Sequence, residues 1–441
     1  MKTRVLITNS AAVLLALTSV TACGSANGGG GNGSNPKITL TMYDWTNSSQ
    51  TYLNFINNDV IAQFEKQHPN IKIVYDEMKD PSSTDEQQMT AGGGPDIVLM
   101  DGPSESMLYA KAGWLVPLNQ YAKQYGWDKM YDSWALSTEQ WKGSLYALPV
   151  EDEIITMYYN KSMFQKYGWK VPTNWNEFTS LMQSIQSKGI IPISFGDSDN
   201  AMENEWPASI LMTAGLTRTQ YRDVLMGKLP WNSPAVENAF NKYLYIWNQG
   251  WIQNKEAYAI TDTDAINLFT SQKAAITLSG TWQVGSWMQQ APPTFQYGNM
   301  AMPGWFDGIA PSYPVGVGTT IGINAHSKHQ AAAAEFINWF YSKQHIQQQL
   351  STLAQLSPVQ GLSVAGANPH LQDQYNELQT AFKEGNYGYT AYTQWSPDVD
   401  TYMWQHFEDL EIGKTSVSDF LNKLEQLQKQ DDQKGLVLNI Q

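Results

Sequence analysis

Residues 145–164 read L-Y-A-L-P-V-E-D-E-I-I-T-M-Y-Y-N-K-S-M-F. Residues 145–150 form a short apolar run stopped by Pro149, three consecutive carboxylates follow at Glu151, Asp152 and Glu153, and residues 154–159 are apolar and β-branched again. That order predicts an extended segment that leaves one hydrophobic core, crosses a wet place and enters a second core. A pocket belongs at the crossing.

Upstream, residues 38–45 alternate apolar and polar side chains as a first strand. Leu53, Ile56, Val60 and Phe64 recur at helical spacing, and the helix must end before His68-Pro69. Residues 71–75 read as a second strand, and the turn Gly92-Gly93-Gly94-Pro95-Asp96 feeds the apolar run 97–100. Strands alternating with helices predict an α/β lobe whose parallel sheet is covered on both faces. Downstream, Trp175, Phe178, Leu181 and Ile185 share one face of a helix stopped by Gly189, with a strand at 190–195. Glu203, Glu205 and Trp206 lie near a helix start. Val236, Phe240, Leu244 and Trp247 mark another helix, and the strand 274–279 turns through Gly280-Thr281-Trp282 into the next. Ser416 and Asp419 resemble a capping box for a closing helix with Val417, Phe420, Leu421, Leu424 and Leu427 facing inward. The 441 residues make room for two or three domain-sized units.

The first residues are expected to lie outside this fold. Lys2 and Arg4 precede an apolar stretch, and Val20-Thr21-Ala22 places small residues before the single cysteine, Cys23. This is the layout of a secretory leader over residues 1–22, too short to remain as a spanning helix. It is also similar to the lipobox of bacterial lipoproteins, which implies diacylglycerol on the Cys23 thiol. Residues 23–36, rich in Gly, Ser and Asn, read as a flexible tether.

The formal charge of −14 argues against nucleic acid, whose binding needs Lys and Arg on phosphates. Beyond the leader the only arginines are Arg218 and Arg222, which makes an anionic ligand unexpected. The 17 Trp and 23 Tyr belong mostly to the core and bear on a ligand only where a ring falls in a cleft.

Several stretches, in order, resemble the family 1 extracellular solute-binding proteins of sugar ABC transporters, the group that includes maltose-binding protein. Pro95-Asp96-Ile97-Val98 is similar to a strand of the family's first lobe, and Tyr158-Tyr159-Asn160-Lys161-Ser162-Met163-Phe164 to its Y-Y-N-K-x-L-F. Pro172-Thr173-Asn174-Trp175-Asn176-Glu177 follows in place of P-x-T-W-x-E. Residues 269–276 with Gly280 and Trp282 resemble F-x-x-G-K-A-A-M…G-x-W, with Gln272 where the family has glycine. Gly322-Ile323-Asn324-Ala325-His326-Ser327 resembles a late crossing. The resemblance implies a two-lobed periplasmic-binding-protein-like (type II) α/β fold whose three-segment hinge falls near residues 150–155, 313–320 and 362–369. Lobe 1 would comprise 37–150 and 319–365, and lobe 2 would comprise 151–318 and 366–441. It further implies a ligand closed between the lobes, delivery to ABC transporter permease subunits, and anchorage outside the cell membrane as a monomer.

A sugar offers hydroxyls at its edge and C–H groups on its faces, so its site needs carboxylates and amides around aromatic rings. Glu153, counted back from Tyr159-Asn160-Lys161, takes the place of a sugar-contacting acid of the family, with Glu151 and Asp152 beside it. Asp101 ends a strand at the carboxyl edge of the sheet, where ligands of open α/β folds bind, or else caps the following helix. Trp45 ends the first strand in the same sense, with Tyr43 or Asp44 as substitutes. The resemblance places Trp282 in the cleft, and Tyr313 and Trp305 lie beside the second crossing. Trp206 and Trp395 are further candidates, with core packing as the alternative. Neither the spacing of His326 and His329 nor that of Asp262 and Asp264 makes a metal site, and no cofactor motif is present. The expected function is capture of a neutral oligosaccharide without chemistry. A secreted glycoside hydrolase, which also uses paired acids and aromatics, is the alternative, and a surface adhesin a third.

Overall fold

β1 (Ile38–Trp45) turns Leu40, Met42 and Asp44 to the buried side, as its alternation requires. β2 (Ile71–Met78) lies parallel to it, Ile38 opposite Ile71 and Trp45 opposite Met78. The helix between them has a π-helical middle, Phe55–Ile61, which brings Phe55, Ile56, Val60 and Ile61 together on its buried side. The computed structural model describes residues 37–45, 49–198, 205–253, 257–292, 294–387, 389–390, 392–438 and 440. The expected leader, tether and Cys23, and also Glu203, lie outside these residues.

The chain continues through α1 (Pro81–Thr90), β3 (Ile97–Met100), α2 (Gly102–Ala112), β4 (Ala147–Pro149) and β5 (Asp152–Asn160). Then come α3 (Trp175–Gln186), β6 (Ile191–Ser194), α4 (Glu205–Gly215), α5 (Pro234–Asn248), β7 (Ala274–Gly280) and α6 (Trp282–Gln290). β8 (Tyr297–Met300), β9 (Val315–Val317) and β10 (Thr320–Ile323) precede the helices α7 (Gln330–Phe340), α8 (Lys343–Leu353), α9 (Pro369–Glu384), α10 (Pro397–Glu411) and α11 (Val417–Lys434).

Two separate sheets result. The first has the order β2-β1-β3-β10-β4, and the second β8-β5-β7-β6 with β9 also on β5. Neither is wholly parallel, which corrects the expectation from strand-helix alternation. β10 runs antiparallel to both β3 and β4, and β5 runs antiparallel to β7, β8 and β9. β9 and β10 return from a distant part of the chain, so no crossover helix forces them into parallel alignment.

Apolar side chains pack around both sheets, and Ile154 and Tyr158 of β5 join the cluster that covers the first sheet. Around the first, Leu40, Ile73 and Leu99 pack with Phe64, and the Phe64 ring meets Phe336 of α7 edge-on at 5.0 Å. Around the second, Met157, Ile193 and Leu278 pack with Phe178, Trp206 and Phe240. Burying each such ring contributes roughly 1.5–3 kcal/mol, so each sheet face carries several independent anchors. The helices α10 and α11 pack on one another, with α11 against α5, and α9 lies beside β8. The positive φ of 63° at Gln272 shows that this turn keeps the left-handed geometry for which glycine is favoured.

Candidate functional site

At residues 151–153, segments from three distant parts of the chain meet. Gly316 pairs with Glu153 and Val317 with Asp152. The amide of Gly318 donates to the Glu151 carbonyl at 3.0 Å, and that of Asp152 to the Leu356 carbonyl at 3.2 Å. The Thr390 hydroxyl donates to the Glu153 carbonyl at 3.1 Å. These neighbours leave no wet passage: Glu151, Asp152 and Glu153 are only 8%, 5% and 5% exposed. The expected solvated crossing is therefore a buried one, because strand pairing covers the backbone that spacing alone left open.

Burial sets the electrostatics. It pushes the Glu151 carboxyl up to about 7, although Gln355 Nε2 donates to its Oε2 at 3.0 Å. It raises Asp152 well above the carboxylate range, with Asp132 and Glu151 adding to the effect. Glu151 Oε1 and Asp152 Oδ1 are buried without a hydrogen-bond partner. A buried acceptor left so costs about 1–3 kcal/mol, which a proton or a ligand hydroxyl relieves. The Glu153 side chain lies against Gly318, where a Cβ would collide with it.

Asp44, not Trp45, holds the polar network at the end of β1. Tyr52 and Tyr75 donate their hydroxyls to Asp44 Oδ2 at 2.7 and 2.8 Å, and the Trp45 amide donates to Oδ1 at 2.8 Å. Burial still raises the Asp44 pKa. Trp45 is partly buried against the first core. Asp101 occupies the N-cap position of α2, but its side chain makes no capping bond. Its amide donates to Glu105 Oε2 at 2.5 Å, and burial followed by the Glu105 charge pushes the Asp101 carboxyl up to about 7.

Facing this end of α2 is the start of α10. The Ser104 hydroxyl donates to the Trp395 carbonyl. Gly102, at a φ of +83°, packs against the Thr393 side chain with no space for a Cβ. Asp400 Oδ1 is buried without a partner. Burial, then Asp101 and Glu105, raise the Asp400 pKa well above normal.

The aromatic candidates divide. Trp282 stands over Gly280, beside the crossing, since Gly280 pairs with Ile155 and the Thr281 amide donates to the Ile154 carbonyl at 3.1 Å. Its ring is partly buried, 6.0 Å from that of the fully buried Trp206. Trp395 is 1% exposed in the second core, with its carbonyl on Ser104. Trp305, equally buried, packs edge-on against Trp175 at 5.7 Å and is core. Tyr313 is partly buried, with its hydroxyl 3.4 Å from Glu377 Oε2, and lines a small cavity with Ile154, Thr156 and Gln374.

Of the sequence candidates, residues 151–153 and Trp282 lie about the crossing and Asp101 faces α10, while Trp206 is buried in the core beside Trp282. Glu105, Asp400, Tyr52, Tyr75, Gln355, Thr390 and Thr393 join them without having been candidates. Only Glu105 left a signal, four residues after Asp101 on one helix. Among the described residues no three His, Cys, Asp or Glu side chains group to hold a metal.

The profile of the bacterial extracellular solute-binding proteins matches residues 47–346. A multiple sugar-binding protein of Streptococcus mutans serotype c is 22% identical over 345 residues, which span 70% of this chain and 73% of that protein. Among solved structures, a chitin oligosaccharide binding protein superposes with a TM-score of 0.80 at 22% identity, over 90% of this chain and 99% of the other. A sugar transporter protein of Bacillus licheniformis in complex with stachyose gives a TM-score of 0.71 at 20% identity, over 88% and 98%. At such identities the superpositions speak for the two-lobed fold. With more than half of its length matching the family profile, this chain belongs to the bacterial extracellular solute-binding proteins.

Proposed function

We propose that the protein is a lipid-anchored receptor that closes two lobes on a neutral oligosaccharide and presents it to the permease subunits of an ABC importer. The lobes are assigned as residues 37–150 with 319–365, and 151–318 with 366–441. Cys23 carries the anchor at the outer face of the cell membrane, and the receptor acts as a monomer.

The observation that carries this reading is the set of buried carboxyls on segments assigned to the two lobes. Asp44, Asp101, Glu105, Glu151, Asp152 and Asp400 make up the set, and each carboxyl is raised chiefly by burial. The charges that further raise Asp101, Glu151, Asp152 and Asp400 are all other carboxylates. Held towards their protonated form by burial, these carboxyls offer donors as well as acceptors to sugar hydroxyls, with the partly buried Trp282 supplying a ring face. Closing then gathers ligand contacts from both halves, which is how a ligand shifts an open protein to its closed state.

Titration of the purified protein with neutral oligosaccharides, followed by tryptophan fluorescence and by product analysis, tests the reading. Saturable binding without products supports the receptor. Release of shorter sugars turns the argument to a glycoside hydrolase, and failure of every soluble sugar to bind turns it to an adhesin. Trp282→Ala should weaken binding at least tenfold, about 1.4 kcal/mol, with an unchanged circular dichroism spectrum.

A further inference from the structure

Away from the buried carboxylates, α5 presents Asn238, Asn241, Lys242 and Tyr245 along one face at helical spacing. With Trp175 and Phe306 they line an open basin of about 360 Å³. None of the carboxylates at the contact between the halves lines it. Tyr245 is 44% exposed, unusual among the large apolar side chains of this fold. Its ring centre lies 5.9 Å from that of Trp175.

Lys242 forms the floor. Its ammonium sits 4.2 Å from the centre of the Trp175 ring and 4.1 Å from that of Phe306, and donates to the Trp305 carbonyl. Held by ring faces and a carbonyl, it excludes cations from the basin and can offer a further N–H to an incoming oxygen. On the rim, Asn238 and Asn241 are exposed, and among the described residues neither side-chain amide has a hydrogen-bond partner.

From this geometry we infer a second carbohydrate-binding position on the outer surface of the second lobe, which takes one or two neutral sugar rings. Each amide provides both a donor and an acceptor, the complement of adjacent sugar hydroxyls, while the exposed ring of Tyr245, beside the half-buried Trp175, suits the C–H side of a pyranose. The volume lies at the small end of the range of ligand sites, roughly 300–1,000 Å³. An open, partly hydrated site of this kind binds weakly, with a Kd on the order of 1 mM. The inference stands apart from the function of the cleft, since no residue is shared.

The test is fluorine NMR on the intact mature protein labelled with 5-fluorotryptophan, with the Trp175 and Trp282 signals assigned through Trp175→Phe and Trp282→Phe. Maltohexaose, cellohexaose, xylohexaose and chitohexaose serve as probes up to about 10 mM. The expected result is a saturable shift of the Trp175 signal with at least one probe, weakened at least fivefold by Asn238→Ala with Asn241→Ala. Alanine at these exposed helix positions favours the fold. A Trp175 signal that no probe moves, or one that moves equally in the double variant, overturns the proposal. Failure of the cleft reading shows separately, as an unresponsive Trp282 signal.

Discussion

Asp44 is buried and Asp400 half-buried with its Oδ1 covered, and the two are supported in opposite ways. Asp44 takes three donors, Tyr52, Tyr75 and the Trp45 amide, all within 31 residues of it along the chain. Asp400 has a bond from Trp404 of its own helix, keeps Oδ1 without a partner, and has Asp101 and Glu105 of α2 as its charged neighbours. The first carboxylate is part of a preformed wall. The second is covered where α10 meets α2, and in the proposed receptor its environment would change as the lobes close.

The contrast makes testable claims. The largest effect belongs to Asp44→Ala, which strands two phenols and should cost on the order of 3 kcal/mol in denaturant unfolding. If Asp44→Ala were as stable as wild type, the preformed wall would lose its basis.

Asp85 of α1 sharpens the other side, since it is fully buried with neither oxygen partnered. Burial, then Glu105, pushes its carboxyl up to about 8. A folded pKa above the unfolded one means that its contribution to stability is complete below about pH 4 and is lost as pH rises through 8. Asp85→Asn should therefore stabilise the protein at pH 8, by roughly 1–3 kcal/mol, and the gain should fade at pH 5 in parallel thermal melts.

The same sign holds for Asp101 and Glu151, pushed up to about 7, and for Glu411, at about 8 in spite of its bonds from Tyr243 and Tyr258. The Tm of the wild type should rise as pH falls from 8 towards 5, and a flat profile would contradict the burial of these acids. The smallest effect is that of Asp400→Asn. It should change stability by no more than about 1 kcal/mol, yet it should reduce the pH dependence of ligand affinity between pH 6 and pH 8.

Much of the architecture was legible along the chain. Alternation gave β1, continuous apolarity gave β3, and the apolar-acid-apolar run gave β4 and β5, although Val150 and Ile154 on either side of the acids share one core and only alternate residues of β5 enter the other. The antiparallel entry of β9 and β10 was not legible, because residues 315–323 look like any extended segment until their partners are known. Among candidate residues, Trp305 looked like Trp282 in its Gly-rich surroundings. One packs into the second core, and the other stands beside the crossing.

By itself the sequence determined the strands that flank the three carboxylates and a family, since these follow from side-chain period and from ordered motifs. Only the tertiary structure decided that residues 151–153 are dry, that Asp44 rather than Trp45 anchors its corner, and that Asp101, Glu105 and Asp400 meet. The physical reason is that burial and pairing come from segments hundreds of residues apart, and a carboxyl's affinity for a proton depends on what covers it.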